Sequence, residues 1–115
     1  MIIEQIYKVD SVEAQPHSPL KRWRIFSVRQ ANGVRSRHLV GYAPEEGAGR
    51  VTTSLVRLDM SRREATTRSG RVYLLEGDPG FDDDGQWLWD NWLRVRSVTH
   101  SQDVTRAWAR IRLIR

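Results

Sequence analysis

The chain has 115 residues, of which 39% are apolar and five are tryptophan, so it can bury the core of one domain and is too hydrophobic to be a disordered polycation. It has no cysteine, which excludes disulfides, thiolate zinc sites and cysteine nucleophiles. No apolar run approaches the roughly 20 residues of a membrane span, and the first residues do not resemble a secretory signal. We therefore expect residues 1–115 to form a single domain of a cytoplasmic protein with no membrane partner.

The first predicted strand covers residues 2–9, where the side chains alternate in the pattern of a short strand. A loop is predicted over residues 14–20, because Pro16 and Pro19 interrupt regular strand pairing.

The clearest local prediction is a β-hairpin over residues 21–42. Two runs rich in strand-forming residues are joined by Asn32-Gly33, which accept the positive φ angles of a two-residue type I′ turn. Such a turn fixes the register, and the predicted pairs are Ile25 with Val40, Phe26 with Leu39 and Val28 with Arg37. One face then carries the expected core residues Trp23, Ile25, Val40 and Tyr42. The opposite face carries Arg22, Arg24, Phe26, Val28, Arg35, Arg37 and Leu39.

Three more strands are predicted at residues 51–58, 64–68 and 71–76, each bounded by turn residues. With the hairpin they indicate a meander of consecutive antiparallel strands.

The hydrophobic period changes at Asp83, where a helix is predicted to begin and to run to about Ser97. Asp83 is the expected N-cap, with Gln86 three residues later. The stripe expected to cover the sheet consists of Leu88, Trp89, Trp92, Leu93 and Val95. Trp87 lies off this stripe and is interpreted either as packed over the first turn, which is the favoured reading for a large aromatic residue, or as an exposed binding anchor.

Residues 104–114 fit two patterns. Val104, Ala107, Trp108 and Ile111 have helical spacing, whereas alternation over the whole stretch indicates a strand, and we favour the strand because its pattern is longer. The predicted fold is therefore an α+β domain: a curved antiparallel β-sheet of about six strands, a meander with hairpins, with one amphipathic helix packed on it.

Charge is sorted into blocks along the chain. Residues 1–75 carry a net charge of +6, residues 76–93 carry −6 and residues 94–115 carry +5. Seventeen of the nineteen basic residues are arginine, which suits phosphate binding but also follows from the codon bias of a GC-rich genome.

The leading hypothesis is a small non-enzymatic binding protein whose arginine and aromatic surface contacts nucleic acid or a ribonucleoprotein. Its predicted contact residues are Arg22, Arg24, Phe26, Arg35, Arg37, Arg110 and Arg112. Two other interpretations of the hairpin face stay open. In the first, the apolar centre of the face packs under the helix and the arginines extend to its edges. In the second, the face forms a homodimer.

The alternative hypothesis is a protein-binding inhibitor or adaptor, such as a mobile-element protein directed at a host-defence complex. It would use the acidic edge of residues 76–90 against a basic groove, through Asp82, Asp83, Asp84, Trp87 and Asp90.

Signals for catalysis are weak. His17, His38 and His100 are the only histidines and show no metal-site spacing, so we predict neither a metal nor a cofactor. A ribonuclease or other hydrolase that uses His38 or His100 as acid and base is the third hypothesis, and a non-enzymatic role is favoured.

Overall fold

The computed structural model describes residues 2–3 and 15–113, with side chains for residues 15–109. Eight strands and two helices follow one another in these ranges: β1 (Ile2–Ile3), β2 (His17–Arg29), β3 (Arg35–Ala43), β4 (Ala48–Val51), β5 (Leu55–Asp59), β6 (Glu64–Thr67), β7 (Val72–Glu76), α1 (Asp83–Val95), β8 (His100–Asp103) and α2 (Thr105–Leu113). The strands lie in one open sheet in the order β1-β4-β3-β2-β7-β6-β5, and β8 pairs with the second half of β2. The α+β prediction is confirmed, because these residues form one compact domain with a mostly antiparallel sheet and one main helix, α1.

Most of the predicted strands are present. The predictions over residues 64–68 and 71–76 correspond to β6 and β7, and the prediction over residues 51–58 spans the end of β4 and most of β5. Of the strand predicted at residues 2–9, only Ile2–Ile3 lies within the described residues, where it pairs in parallel with β4.

Two antiparallel meanders, β2-β3-β4 and β5-β6-β7, are joined by a parallel pairing of β2 with β7 that the sequence did not predict. The loop predicted over residues 14–20 is wrong from His17 onward. Val72 N donates to Pro16 O at 2.9 Å. Because alternate residues of a strand direct their backbone groups to the same neighbouring strand, residues 16, 18 and 20 face β7, and the backbone nitrogen of Pro19 faces away from it. The pairing of β2 with β3 stops at Lys21, so no strand of the described residues lies on the side that the Pro19 nitrogen faces. A proline is tolerated there because no hydrogen bond is lost.

The hairpin of β2 and β3 has a longer turn than predicted. Its last strand pair is Arg29 with Arg35, Gln30 N donates to Val34 O at 2.8 Å, and within the turn only Gly33 has a positive φ, of +83°. This is the three-residue pattern, a type I turn followed by a glycine bulge, and the predicted type I′ turn is wrong.

The longer turn shifts the register by one residue. Ile25 lies opposite Leu39 and Phe26 lies opposite His38, so the predicted pairs are wrong. Because a shift of one residue exchanges the faces of a strand, Leu39 joins Ile25 on one side of the sheet and Val40 joins Phe26 on the other.

Both sides of the sheet are covered by apolar groups. On the side of Ile25 the sheet curls until β5 contacts β3, and we name this side the inner face. Its buried residues are Leu20, Trp23, Ile25, Leu39, Ala43, Leu58, Met60, Ala65, Tyr73, Leu75 and Ala109. On the other side, named the helix face, α1 packs on β3 and β4. Its buried residues are Phe26, Val28, Val40, Val51, Leu88, Trp89 and Trp92.

The helix α1 begins one residue later than its capping side chain, which is Asp82 rather than the predicted Asp83. Asp82 Oδ2 accepts from Gly85 N at 2.8 Å, the geometry of an N-cap. The helix ends at Val95, which is 64% exposed and is therefore not part of the covering stripe. The rest of the predicted stripe is confirmed: Leu88, Trp89 and Trp92 are buried and Leu93 is half-buried.

Glycines bring the start of α1 into direct contact with the sheet. A Cβ atom at Gly49 would lie 2.5 Å from the backbone of Asp84 and Gly85, and a Cβ at Gly85 would lie 2.7 Å from Gly41 O. The helix start therefore rests on the backbone of β3 and β4 at a distance that no larger residue allows.

The strand favoured for residues 104–114 is wrong, because most of this stretch forms α2. Val104 N donates to Ile25 O at 2.8 Å, and Thr105 Oγ1 accepts from Ile25 N at 2.8 Å, which fixes the helix start on β2. The helical spacing then brings Trp108 and Ala109 to the inner-face core. Neither helix in the described ranges is long and apolar enough to cross a membrane.

Candidate nucleic-acid interface

Arg22 is held by the capping residue of α1. Its Nε and Nη2 donate to Asp82 Oδ1 at 3.1 and 2.9 Å, and its guanidinium lies 4.7 Å from the centre of the Tyr42 ring. A bulge in β2, with a φ of +46° at Arg22, directs the chain into this position. Arg22 therefore ties β2 to the start of α1.

Arg24 and Phe26 also contact α1 or the loop before it. The Arg24 guanidinium lies 4.9 Å from the ring centre of Phe26 and 5.0 Å from that of Phe81, and its Nη2 donates to Gln86 Oε1. Phe26 is buried, with its ring centre 5.0 Å from that of Trp89. Of the predicted apolar centre, Phe26 and Val28 pack under α1, whereas Leu39 lies on the inner face. The predicted arginine and aromatic face is therefore not one open surface.

The arginines near the hairpin end are arranged differently. Arg29 lies directly opposite Arg35 on β3 and directly opposite His100 on β8. Since directly opposite residues of neighbouring strands point to the same side, these three side chains form a row across three strands on the inner face. All three are exposed.

A cleft of about 490 Å³ lies beside this row, and we name it the hairpin-end cleft. It is lined by Ser27, Val28, Arg29, Arg35, His100, Ser101 and Gln102. The cleft thus combines two guanidinium groups with imidazole, hydroxyl and amide groups, all able to donate hydrogen bonds to an anion.

Arg37 lies next to the cleft, two residues along β3 from Arg35 and opposite Ser27. Its Cζ atom is 4.1 Å from the centre of the Trp108 ring, which belongs to α2. Trp108 is half-buried against the inner-face core, whereas Arg37 is exposed. The Arg37 guanidinium therefore lies against the Trp108 ring while the residue as a whole stays exposed.

Three arginines at the hairpin end, Arg29, Arg35 and Arg37, lack, among the described residues, the acidic partners that several other arginines have. The ion pairs found among residues 15–109 are Arg22–Asp82, Arg50–Glu46, Arg57–Asp59 and Arg62–Glu64. Within those residues, no carboxylate oxygen lies within 4.0 Å of a nitrogen of Arg29, Arg35 or Arg37. Positive charge at the hairpin end is not neutralised by the described part of the chain.

The predicted nucleic-acid residues are thus divided among several places. Arg35 and Arg37 lie together at the hairpin end, while Arg22, Arg24 and Phe26 contact α1 or the loop that leads into it. Arg110 and Arg112 belong to α2, but their side chains lie outside the described part. Sequence reasoning missed Arg29 altogether, and it named His100 only for the hydrolase hypothesis. A correct hairpin register would have revealed Arg29, but only the pairing of β8 reveals His100.

The acidic residues of the alternative hypothesis lie on and before α1. Asp83, Asp84 and Asp90 are exposed, whereas Asp82 is buried in its capping role. Trp87 is 54% exposed, so the favoured packed interpretation is wrong, and its role as a binding anchor stays a prediction. A groove of about 190 Å³ beside Trp87 is lined by Gly47, Ala48, Gly49, Asp84, Trp87 and Leu88.

The two histidines of the hydrolase hypothesis lie on opposite faces of the sheet. The His38 ring lies 4.7 and 5.9 Å from the ring centres of Trp92 and Trp89 on the helix face, whereas His100 belongs to the exposed row on the inner face. His38 is buried, and this burial, with a smaller contribution from Arg96, lowers its pKa although the bond to Thr52 opposes the shift.

His38 Nδ1 donates to Thr52 O at 2.9 Å, because a carbonyl can only accept. In the neutral ring, which the lowered pKa favours, Nε2 then accepts from Ser36 Oγ at 2.8 Å. No group of three or more histidine, aspartate and glutamate side chains within residues 15–109 could hold a metal ion. Comparison with protein-family models, curated proteins and solved structures finds no match to this chain.

Proposed function

We propose that this protein binds nucleic acid or a ribonucleoprotein, without catalysis, and that the hairpin-end cleft holds the phosphates. The observation that carries the proposal is the pairing of Arg29 with Arg35 across two strands, with His100 on the third. Like charges directly opposite one another destabilise a sheet, so such a pair is retained at a cost unless an anion binds between them.

The chemistry of the cleft matches a phosphate group. A guanidinium presents a planar fork that binds phosphate oxygens bidentately, and the hydroxyl of Ser27 and the amide of Gln102 add neutral donors. Phosphate contacts of this kind provide affinity without sequence recognition and make binding strongly dependent on salt. Binding is favoured over hydrolysis because His38 and His100 lie on opposite faces of the sheet and cannot act on one bond.

The test is the salt dependence of binding to labelled single-stranded and double-stranded oligonucleotides. The wild type should bind with a log–log salt slope equivalent to several phosphate contacts. Changing Arg29, Arg35 and Arg37 together to Gln should greatly reduce both the affinity and the slope.

A matched control removes the same charge elsewhere. Changing the exposed arginines Arg57, Arg62 and Arg68 together to Gln gives the same net charge but removes the positive charge around β5 and β6, away from the cleft. If both triple variants lose affinity equally, only the net charge matters and the cleft is not the site.

A second candidate function is supported by the exposure of Trp87 among Asp83 and Asp84. Trp87 is 54% exposed, and tryptophan is among the residues most enriched at protein-binding hot spots. We propose, as the alternative, that this face of α1 binds an arginine-rich surface of a partner protein, as an inhibitor or adaptor would.

This alternative is tested with a labelled arginine-rich peptide. Changing Asp83 and Asp84 to Lys, or Trp87 to Ala, should abolish binding, whereas the equal charge change at the exposed Glu45 and Asp78 should not. Asp82 is left unchanged because it caps the helix. Equal loss in both charge variants would indicate nonspecific attraction and contradict the alternative.

A further inference from the structure

We infer that the hairpin end selects single-stranded over double-stranded nucleic acid, by stacking one unpaired base on the outer plane of Arg37. This inference rests on the proposed phosphate site and specifies the form of nucleic acid that it takes. The geometry that carries it is the Arg37 guanidinium lying 4.1 Å over the Trp108 ring while the residue remains exposed.

The stack orients the guanidinium. An exposed arginine normally samples many rotamers, but here one plane is attracted to the π face of Trp108, and Trp108 is itself fixed by packing against the inner-face core. The opposite plane is thus a flat, preoriented surface. Bases stack on arginine planes as they do on aromatic rings, and this contact is open to any base.

The stack lies at a suitable distance from the phosphate site. Arg37 is two residues along β3 from Arg35, so the two positions are separated by roughly 7 Å along the strand. A chain whose phosphate occupies the cleft between Arg29 and Arg35 can therefore place a neighbouring base over Arg37. A base within a duplex is already stacked and paired and cannot reach this plane.

The planar stack, rather than the charge, is what the inference requires. Replacing Arg37 with Lys keeps the positive charge and removes the plane. The same replacement at Arg35 is the matched control, because it removes a planar fork that contacts phosphate in single strands and duplexes alike and removes no stack.

The experiment measures the affinity of each variant for a labelled oligothymidine strand and for a duplex of equal length. Arg37→Lys should lower single-strand affinity about tenfold and leave duplex affinity unchanged, with the salt slope of the wild type. Arg35→Lys should change both affinities by a similar, smaller factor. Trp108→Leu, which keeps apolar packing, should resemble Arg37→Lys.

Two results overturn parts of the argument separately. If Arg37→Lys and Arg35→Lys alter single-strand and duplex binding to the same extent, the stacking inference is wrong while the phosphate site stands. If Arg29→Gln combined with Arg35→Gln changes neither affinity nor salt slope, the proposed function itself is wrong. A thermal melt of each variant verifies that it is folded.

Discussion

Replacing Arg29 with Gln should make the protein more stable and a weaker binder. Arg29 lies between Arg35 and His100 in the cross-strand row, without a carboxylate partner in the described part of the chain. Because the substitution keeps a long polar side chain and removes one of two facing charges, its main effect on folding is the relief of repulsion.

The magnitude follows from the geometry of the pair. Long side chains on directly opposite residues can hold their charges about 7 Å apart, and at that separation in water the repulsion is roughly 0.6 kcal/mol, which physiological salt reduces to about half or less. At low salt the midpoint of thermal unfolding should therefore rise by about 2 °C for a domain of this size. Loss of one phosphate contact should lower the slope of log affinity against log salt by about 0.7 for a single strand.

The assay combines thermal unfolding at low and high salt with a salt titration of oligonucleotide binding. Arg57→Gln is the control, because Arg57 is also exposed but its Nη2 lies 3.9 Å from Asp59 Oδ2, so its removal relieves no repulsion. The control should melt at or slightly below the wild-type temperature and bind with the wild-type slope. An Arg29→Gln variant that melts lower than the wild type and keeps the full slope would refute the argument, since Arg29 would then be a structural residue.

Three other predictions concern the packing of α1. Gly49→Ala should lower the free energy of unfolding by about 2 kcal/mol in urea titrations, because the new methyl group meets backbone that cannot move aside. Gly80→Ala is the control and should have little effect, since its Cβ would have no neighbour nearer than 3.6 Å. Asp82→Ala should cost about 1–2 kcal/mol through loss of the N-cap, and Asp82→Asn, which retains a capping oxygen, should cost clearly less in the same measurement. The pKa of His38 is lowered in the folded protein, so below the ordinary value of about 6.5 the unfolded chain binds more protons than the folded protein does. The urea midpoint should therefore fall as the pH drops below that value. His38→Gln should flatten this dependence. Each prediction has an outcome that would contradict it. These are equal losses of stability at Gly49 and Gly80, equal losses for the two Asp82 substitutions, and an unchanged pH profile in His38→Gln.

The sequence predicted the features that depend on neighbouring residues. The helix was predicted from a capping carboxylate, expected at Asp83 and found at Asp82, and from the spacing of its buried apolar residues, which are local signals. Strands β6 and β7 follow from short β-rich runs between turn residues. These elements together were sufficient for the α+β class.

The candidate site was only partly predictable. Arg35 and Arg37 were identified from the hairpin, but the surface expected around them depended on a two-residue turn. The extra turn residue exchanged the faces of one strand, which buried Phe26 under α1 and brought Arg29 opposite Arg35. A turn type chosen from Asn-Gly alone does not settle this, because the flanking strands decide which loop length is accommodated.

Only the tertiary structure determined the remaining arrangement. Residues 104–113 have side-chain patterns that fit a helix or a strand, and the helix prevails because it packs Trp108 against the inner-face core and buries Ala109 there. The parallel pairing of β2 with β7 and the placement of His100 beside Arg29 join residues far apart in the chain. Such pairings are selected by the apolar surface that the whole sheet buries, so local periodicity determined the elements of this protein and long-range burial determined which of its arginines meet.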